Sequence, residues 1–181
     1  MTILKDNNRK TALVTGSTQG IGLAIAQALA ASGANVVIHG IETDEQGAKI
    51  AVEMAATYGV RCAYVRANLK IAAQAEGLVQ AAAQVLAPID ILVNNAGIQY
   101  TSPIESFPTE QWDAVLAINL TAAFHTMKAA VLGMRSRGWG RIVNIASVHG
   151  LVASVNKGAY LAAKHGLIGV SKGVALETAR S

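Results

Sequence analysis

The segment that most constrains this chain is Thr15-Gly-Ser-Thr-Gln-Gly-Ile-Gly22. The apolar run Thr11–Thr15 reads as a strand and the alanine-rich stretch Ile21–Ser32 as a helix, so the glycine segment falls at the turn between them. Gly16, Gly20 and Gly22 let the backbone turn sharply and come close to a ligand. The positive end of the helix that follows is where a pyrophosphate would sit. A glycine pattern alone is weak evidence, but at the head of a strand–helix–strand unit it points to a dinucleotide-binding sheet.

The rest of the chain repeats that alternation. Val36–Ile38, Cys62–Val65, Ile89–Val93 and Arg141–Ile145 read as strands. Asp44–Tyr58, Ala72–Leu86, Thr109–Met134 with a break near Asn119, and Tyr160–Thr178 read as helices. Gly33, Gly59 and Pro88 supply the stops. The strands are continuous apolar runs, as in a sheet covered on both faces. The expectation is α/β: one Rossmann-type, doubly wound parallel sheet with right-handed crossovers, spanning residues 1–181 as a single domain.

Composition excludes several classes. The chain is 52% hydrophobic and 14% charged, below the usual charged share of about 25%, which is the balance of a buried core or tight oligomer. No run approaches the ~20 apolar residues of a membrane span. The opening MTILKDNNRK has no signal-peptide core. Cys62 is the only cysteine, so there is no internal disulfide and no cysteine metal cluster; no metal is expected, and a reducing cytoplasm fits. The net charge of +4 is scattered. Arg135, Arg137 and Arg141 read as solvated charges flanking a glycine-rich turn, and 4% aromatics offers little stacking surface, so nucleic acid is not an expected partner.

Within the glycine loop the cofactor candidates are Gly16, Ser17, Thr18, Gly20, Ile21 and Gly22. The acidic residue that usually ends the second strand and grips the ribose is not in its place: the chain reads His39-Gly40-Ile41, with Glu42 beyond. No Lys or Arg stands there or in the loop to meet a 2′-phosphate, which favours NAD over NADP. Asn94-Asn95-Ala96-Gly97 follows the fourth strand, at the sheet edge where ligands bind. Its carboxamides can bridge strands, and Ala96-Gly97 leaves room for a ribose.

Ser147 follows the fifth strand, at the same edge. Tyr160 and Lys164 stand four apart on a predicted helix and share a face. A phenol to exchange a proton, an ammonium to favour the phenolate and a serine hydroxyl to hold a carbonyl oxygen make a site for hydride transfer.

TGSTQGIG, NNAG, Ser147 and YLAAK, in this order and spacing from Thr11 to Thr178, resemble the short-chain dehydrogenase/reductase family. The resemblance implies a catalytic tetrad at Asn119, Ser147, Tyr160 and Lys164. Tyr160 would be the acid/base, Ser147 would orient the carbonyl, and Lys164 would favour the phenolate and bind the nicotinamide ribose. Asn119 would help hold a water. NNAGIQY, IASVHGLVAS, VNKGAY and AAKHG are similar to the bacterial D-3-hydroxybutyrate dehydrogenase branch of that family. That implies NAD, interconversion of (R)-3-hydroxybutyrate and acetoacetate, and a substrate-carboxylate site at Gln99, His149 and Lys157 beside Ser147 and Tyr160. It also implies adenine contacts at Asn68 and Leu69, where Asn68 replaces the family's usual Asp and accepts through its carbonyl oxygen. A homotetramer is implied too, for which Leu120, Phe124, Met127 and Val131 stand at helical spacing. His39, His125 and His165 read as structural. The family fold continues beyond the helix after the fifth strand, so relative to the family the chain is expected to be truncated there.

Two alternatives remain open: an NADPH-dependent carbonyl reductase of the 3-oxoacyl thioester type, and a nucleotide-binding module without turnover.

Overall fold

The computed structural model describes residues 9–181. The reading of the opening MTILKDNNRK as free of a signal core therefore falls, for its first eight residues, outside the described region. Five parallel strands make one sheet: β1 (Thr11–Val14), β2 (Asn35–Gly40), β3 (Cys62–Arg66), β4 (Ile91–Asn94) and β5 (Arg141–Asn144), in the order β3-β2-β1-β4-β5. Six helices link and follow them: α1 (Gly20–Ala31), α2 (Asp44–Tyr58), α3 (Ala72–Val85), α4 (Thr109–Leu116), α5 (Ala122–Ser136) and α6 (Gly158–Thr178). The expected α/β class and doubly wound order are what the chain adopts. The chain winds outward from β1 to β3, then returns to place β4 on the other side of β1. This reversal opens a crevice at the carboxyl ends of β1 and β4.

Strand alternation divides the core in two. Leu13, Val37 and Leu92 are in register and face α3, α5 and α6, packing with Leu78, Met127 and Leu167. Val14, Ile38 and Val93, with Val36, face the other way, onto Ala26, Ala30, Ala51 and Met54 of α1 and α2. Because the central strands are buried on both faces, they read as unbroken apolar runs. Burial on both faces does not extend to β5. Its residues alternate between exposed and half-buried, and Val143 is 46% exposed. β5 is an edge strand of this sheet, which its own residues do not reveal.

Further expectations are corrected. The chain does not break at Asn119. A π turn over Ala117–Thr121 joins α4 to α5 in one helical run, Thr109–Ser136. That run is long and apolar enough, by length and composition, to cross a membrane, with a mean hydropathy of 1.4 in its most apolar window. Here Ala123, Thr126, Met127, Ala130 and Met134 pack it against the sheet and α3. Met127 is therefore core, while the exposed stripe of α5 is Phe124, Lys128 and Leu132. The arginine cluster is exposed, as expected; within it Arg137 pairs with Asp90 at 3.4 Å, and Arg141 with Lys10 lies over the Trp139 ring.

Candidate active site

Two loops meet at the carboxyl ends of β1 and β4. Buried Thr15 accepts hydrogen bonds through Oγ1 from the backbone N–H groups of Asn95 and Ala96, each at 3.0 Å. Asn95 Nδ2 donates to the carbonyls of Thr15 and Gly16, also at 3.0 Å. The glycine loop and the NNAG loop are thereby one unit. Gly16 holds φ +59°, where a Cβ would come to 3.0 Å from Ala96 Cα. A Cβ on Gly22 would collide with the Gly16 carbonyl and Asn95 Nδ2. No side chain caps the first turn of α1, so its backbone N–H groups are free to receive an anion.

A cleft of about 1480 Å³ runs along this edge, walled by Gly16, Thr18, Glu42, Asn68, Ala96 and Ile98 among others. At its far end Glu42 Oε1 accepts from Thr18 Oγ1 at 2.8 Å. Glu42 Oε2 is buried without a hydrogen-bond partner. An acceptor left over at this place fits a ribose hydroxyl. Ser17 has no hydroxyl to spare: it donates to Val14 O at 2.7 Å and accepts from the His39 N–H at 3.0 Å. Asn68 is exposed and lines the cleft; its Oδ1 accepts from the Lys70 N–H at 3.1 Å, which uses one of its two lone pairs. Leu69 packs into the core beneath. The uncapped helix end, the close-packed glycines and the unpartnered carboxylate oxygen fit a nicotinamide dinucleotide.

The second cluster lies at the end of β5. Asn94 and Asn144 are in register on β4 and β5, with Asn94 Nδ2 donating to Asn144 Oδ1 at 2.8 Å. Thr126 of α5 donates to Asn94 Oδ1 at 2.7 Å, and Asn144 Nδ2 donates to Ser171 of α6 at 2.8 Å. This chain of polar groups fixes both helices to the strand ends that carry the site. Ser147 caps a single 3-10 turn, Val148–Gly150, and accepts from the His149 N–H at 3.2 Å. The His149 ring lies 6.0 Å from the Tyr160 ring, centroid to centroid, edge-on. Buried Lys164 donates to the Ile145 carbonyl at 2.7 Å, and its Nζ lies 5.6 Å from the Tyr160 ring centre. Desolvation pulls the Lys164 ammonium below its ordinary pKa. Thus a serine hydroxyl, an imidazole, a phenol and an ammonium meet at one strand end, a set able to move a proton to or from a substrate oxygen.

Lys157 is the N-cap residue of α6, directly after Asn156, which holds φ +62°. Gln99 is exposed on the loop that follows Gly97. Asn119, buried in the π turn, holds that loop: Oδ1 accepts from the Ile98 N–H at 2.7 Å, and Nδ2 donates to Ile98 O at 2.8 Å. His165 points away from Lys164, exposed, with Nδ1 at 3.0 Å from Leu161 O. Sequence reasoning left Thr15, His39 and Glu42 off the site. A polar His39 in an otherwise apolar strand, and an acid two residues past Gly40, were the available signals.

The whole described region beyond Arg9, residues 10–181, matches the short chain dehydrogenase family model. The chain is 54% identical to a D-beta-hydroxybutyrate dehydrogenase of Cupriavidus necator, covering 96% of this chain and 67% of the relative. It is 47% identical to a D-beta-hydroxybutyrate dehydrogenase of Rhizobium meliloti, covering 95% and 67%. Among solved structures it superposes, with a TM-score of 0.88 and 34% identity, on a gluconate 5-dehydrogenase from Burkholderia cenocepacia in complex with NADP and tartrate; the match covers 94% of this chain and 66% of that one. The chain thus spans about two thirds of the length of these relatives. It belongs to the short-chain dehydrogenase family and is an oxidoreductase with a Rossmann-like fold.

Proposed function

We propose that this short-chain dehydrogenase uses NAD to interconvert (R)-3-hydroxybutyrate and acetoacetate. The observation that carries the reading is the convergence of Ser147, His149, Tyr160 and Lys164 at the end of β5, with Lys157 at the start of the helix that bears Tyr160. The 54% identity to a D-beta-hydroxybutyrate dehydrogenase supports the substrate class.

In this reading a nicotinamide dinucleotide in the cleft supplies the hydride acceptor. Tyr160 takes the hydroxyl proton of the hydroxyacid during oxidation and returns it during reduction. Ser147 donates its hydroxyl proton to the same substrate oxygen and so orients C3. The Lys164 ammonium favours the phenolate of Tyr160 and offers its remaining protons to the nicotinamide ribose. His149, Lys157 and Gln99 hold the carboxylate at the far end of the substrate; a cation and hydrogen-bond donors are what a small anion requires. Glu42 accepts from the adenosine ribose and repels a 2′-phosphate, which sets the preference for NAD over NADP.

The test is reduction of NAD⁺ or NADP⁺ by (R)- and (S)-3-hydroxybutyrate, beside reduction of a 3-oxoacyl thioester with NADPH. Activity confined to NAD⁺ and the (R) acid supports the reading. Faster turnover of the thioester with NADPH would replace it.

A further inference from the structure

His39 sits in β2, 2% exposed, between the glycine loop and the segment that leaves β3. Its Nδ1 accepts from the Gly16 N–H at 3.0 Å. An accepting Nδ1 carries no proton, so the proton is on Nε2, which faces Ala67 O at 3.1 Å. The backbone repeats the tie: the His39 N–H donates to Ser17 Oγ, the Ser17 N–H to His39 O at 2.8 Å, and the Ala67 N–H to Gly40 O at 3.2 Å. One neutral imidazole thus bridges two loops that do not otherwise bond to each other through side chains. Both loops line the same cleft, one through Gly16 and Thr18 and the other through Ala67, Asn68 and Leu69.

We propose that His39 is a positioning residue for the cofactor: it sets the glycine loop and the Ala67–Leu69 loop at the spacing that the AMP half of a dinucleotide requires. This rests on the reading of the cleft as a dinucleotide site. A buried aliphatic side chain would fill the same space, but it would leave the Gly16 N–H and the Ala67 carbonyl without partners and the two loops unlinked. A carboxamide can restore one link at a time. Asn places its Oδ1 where Nδ1 stands and can serve Gly16; Gln places its Nε2 where the imidazole Nε2 stands and can serve Ala67. Burial supports the fixed neutral form, because it pulls the imidazole pKa down to about 4.

The experiment titrates NADH and reduced nicotinamide mononucleotide, by fluorescence, into the parent protein and into His39→Asn, His39→Gln and His39→Leu. Each is measured at a temperature where its near-ultraviolet circular dichroism matches the parent. The mononucleotide lacks the AMP half and keeps one phosphate, so general loosening of the fold weakens both ligands alike, whereas loss of His39 positioning weakens NADH far more than the mononucleotide. The expected result is a rise in the NADH Kd of roughly tenfold or more for Leu and of about three- to fivefold for Asn and Gln. The mononucleotide Kd should stay within about twofold. NADH affinity unchanged in all three variants, or equal losses for both ligands, overturns the proposal while leaving the cofactor reading intact. A parent that binds no NADH overturns both. Independently of binding, a ¹⁵N spectrum showing the His39 proton on Nδ1 overturns the proposed bridge.

Discussion

Glu42 reaches back over Gly40 to accept a 2.8 Å hydrogen bond from Thr18, and its second carboxylate oxygen stays buried with no partner. Gly40 makes the fold-back possible: a Cβ there would collide with the Glu42 carboxylate and crowd Thr18. An acid thus stands beside the end of β2, brought there from two residues past Gly40.

Glu42→Ala should therefore raise the NADH Kd. A hydrogen bond to a charged group contributes about 1.5–3 kcal/mol, or roughly ten- to a hundredfold. The NADPH Kd should stay level or fall, since the repelling charge is gone. Parallel losses for both cofactors in a fluorescence titration would show that Glu42 only braces Thr18.

Lys157→Ala should raise the KM for acetoacetate by roughly thirty- to a hundredfold, the effect of about 2–3 kcal/mol from a lost charged hydrogen bond. Cofactor affinity should hold. A neutral ketone that lacks a carboxylate should be reduced as before. Equal losses for acetoacetate and the neutral ketone would assign Lys157 to the shape of the loop that starts α6.

The doubly wound parallel sheet and the residues of the two clusters could be read from the sequence because their signals are local, whereas the order β3-β2-β1-β4-β5 comes from long-range pairing. A glycine triplet between an apolar strand and a helix has few other uses, and Tyr160 and Lys164 share a face by helical spacing alone. Other features depend on neighbours the sequence does not name. β2 runs on through His39 and Gly40, two residues past the expected end at Ile38, because His39 finds partners on both sides. Helical spacing puts Met127 and Phe124 on one stripe, but only packing shows Met127 in the core at 2% exposure and Phe124 47% exposed. Where the sequence suggests a break at Asn119, the chain makes a wider π turn that brings the amide to Ile98.

His39 also sets a pH dependence of stability. Its folded pKa of about 4 lies below the ordinary 6.5, with burial the largest cause and the bond to Ala67 and the Glu42 charge opposing it. Between these values the unfolded chain binds more protons, so stability falls as pH drops from 6.5 toward 4 and is fully present above 6.5. The contribution is on the order of 3 kcal/mol. Urea midpoints for the parent should decline through this window, and those for His39→Gln should decline less. Identical slopes would refute the assignment.

The exposed stripe Phe124, Lys128 and Leu132 on α5, with Leu132 77% exposed, is the surface expected to pair with a symmetry mate. Light scattering at micromolar concentration should give a multiple of 18.7 kDa, and Phe124→Glu with Leu132→Glu should reduce it. A monodisperse parent monomer would remove this contact from the account.

The most direct measurement is acetoacetate-dependent oxidation of NADH by the parent and by Tyr160→Phe, with NADH affinity measured on both. Tyr160 contributes one transferable proton, so the account predicts turnover by the parent, none detectable for Tyr160→Phe, and NADH Kd values that agree within about twofold. A Tyr160→Phe rate within about tenfold of the parent would contradict the account, because the acid/base at the centre of the site would then be some other group.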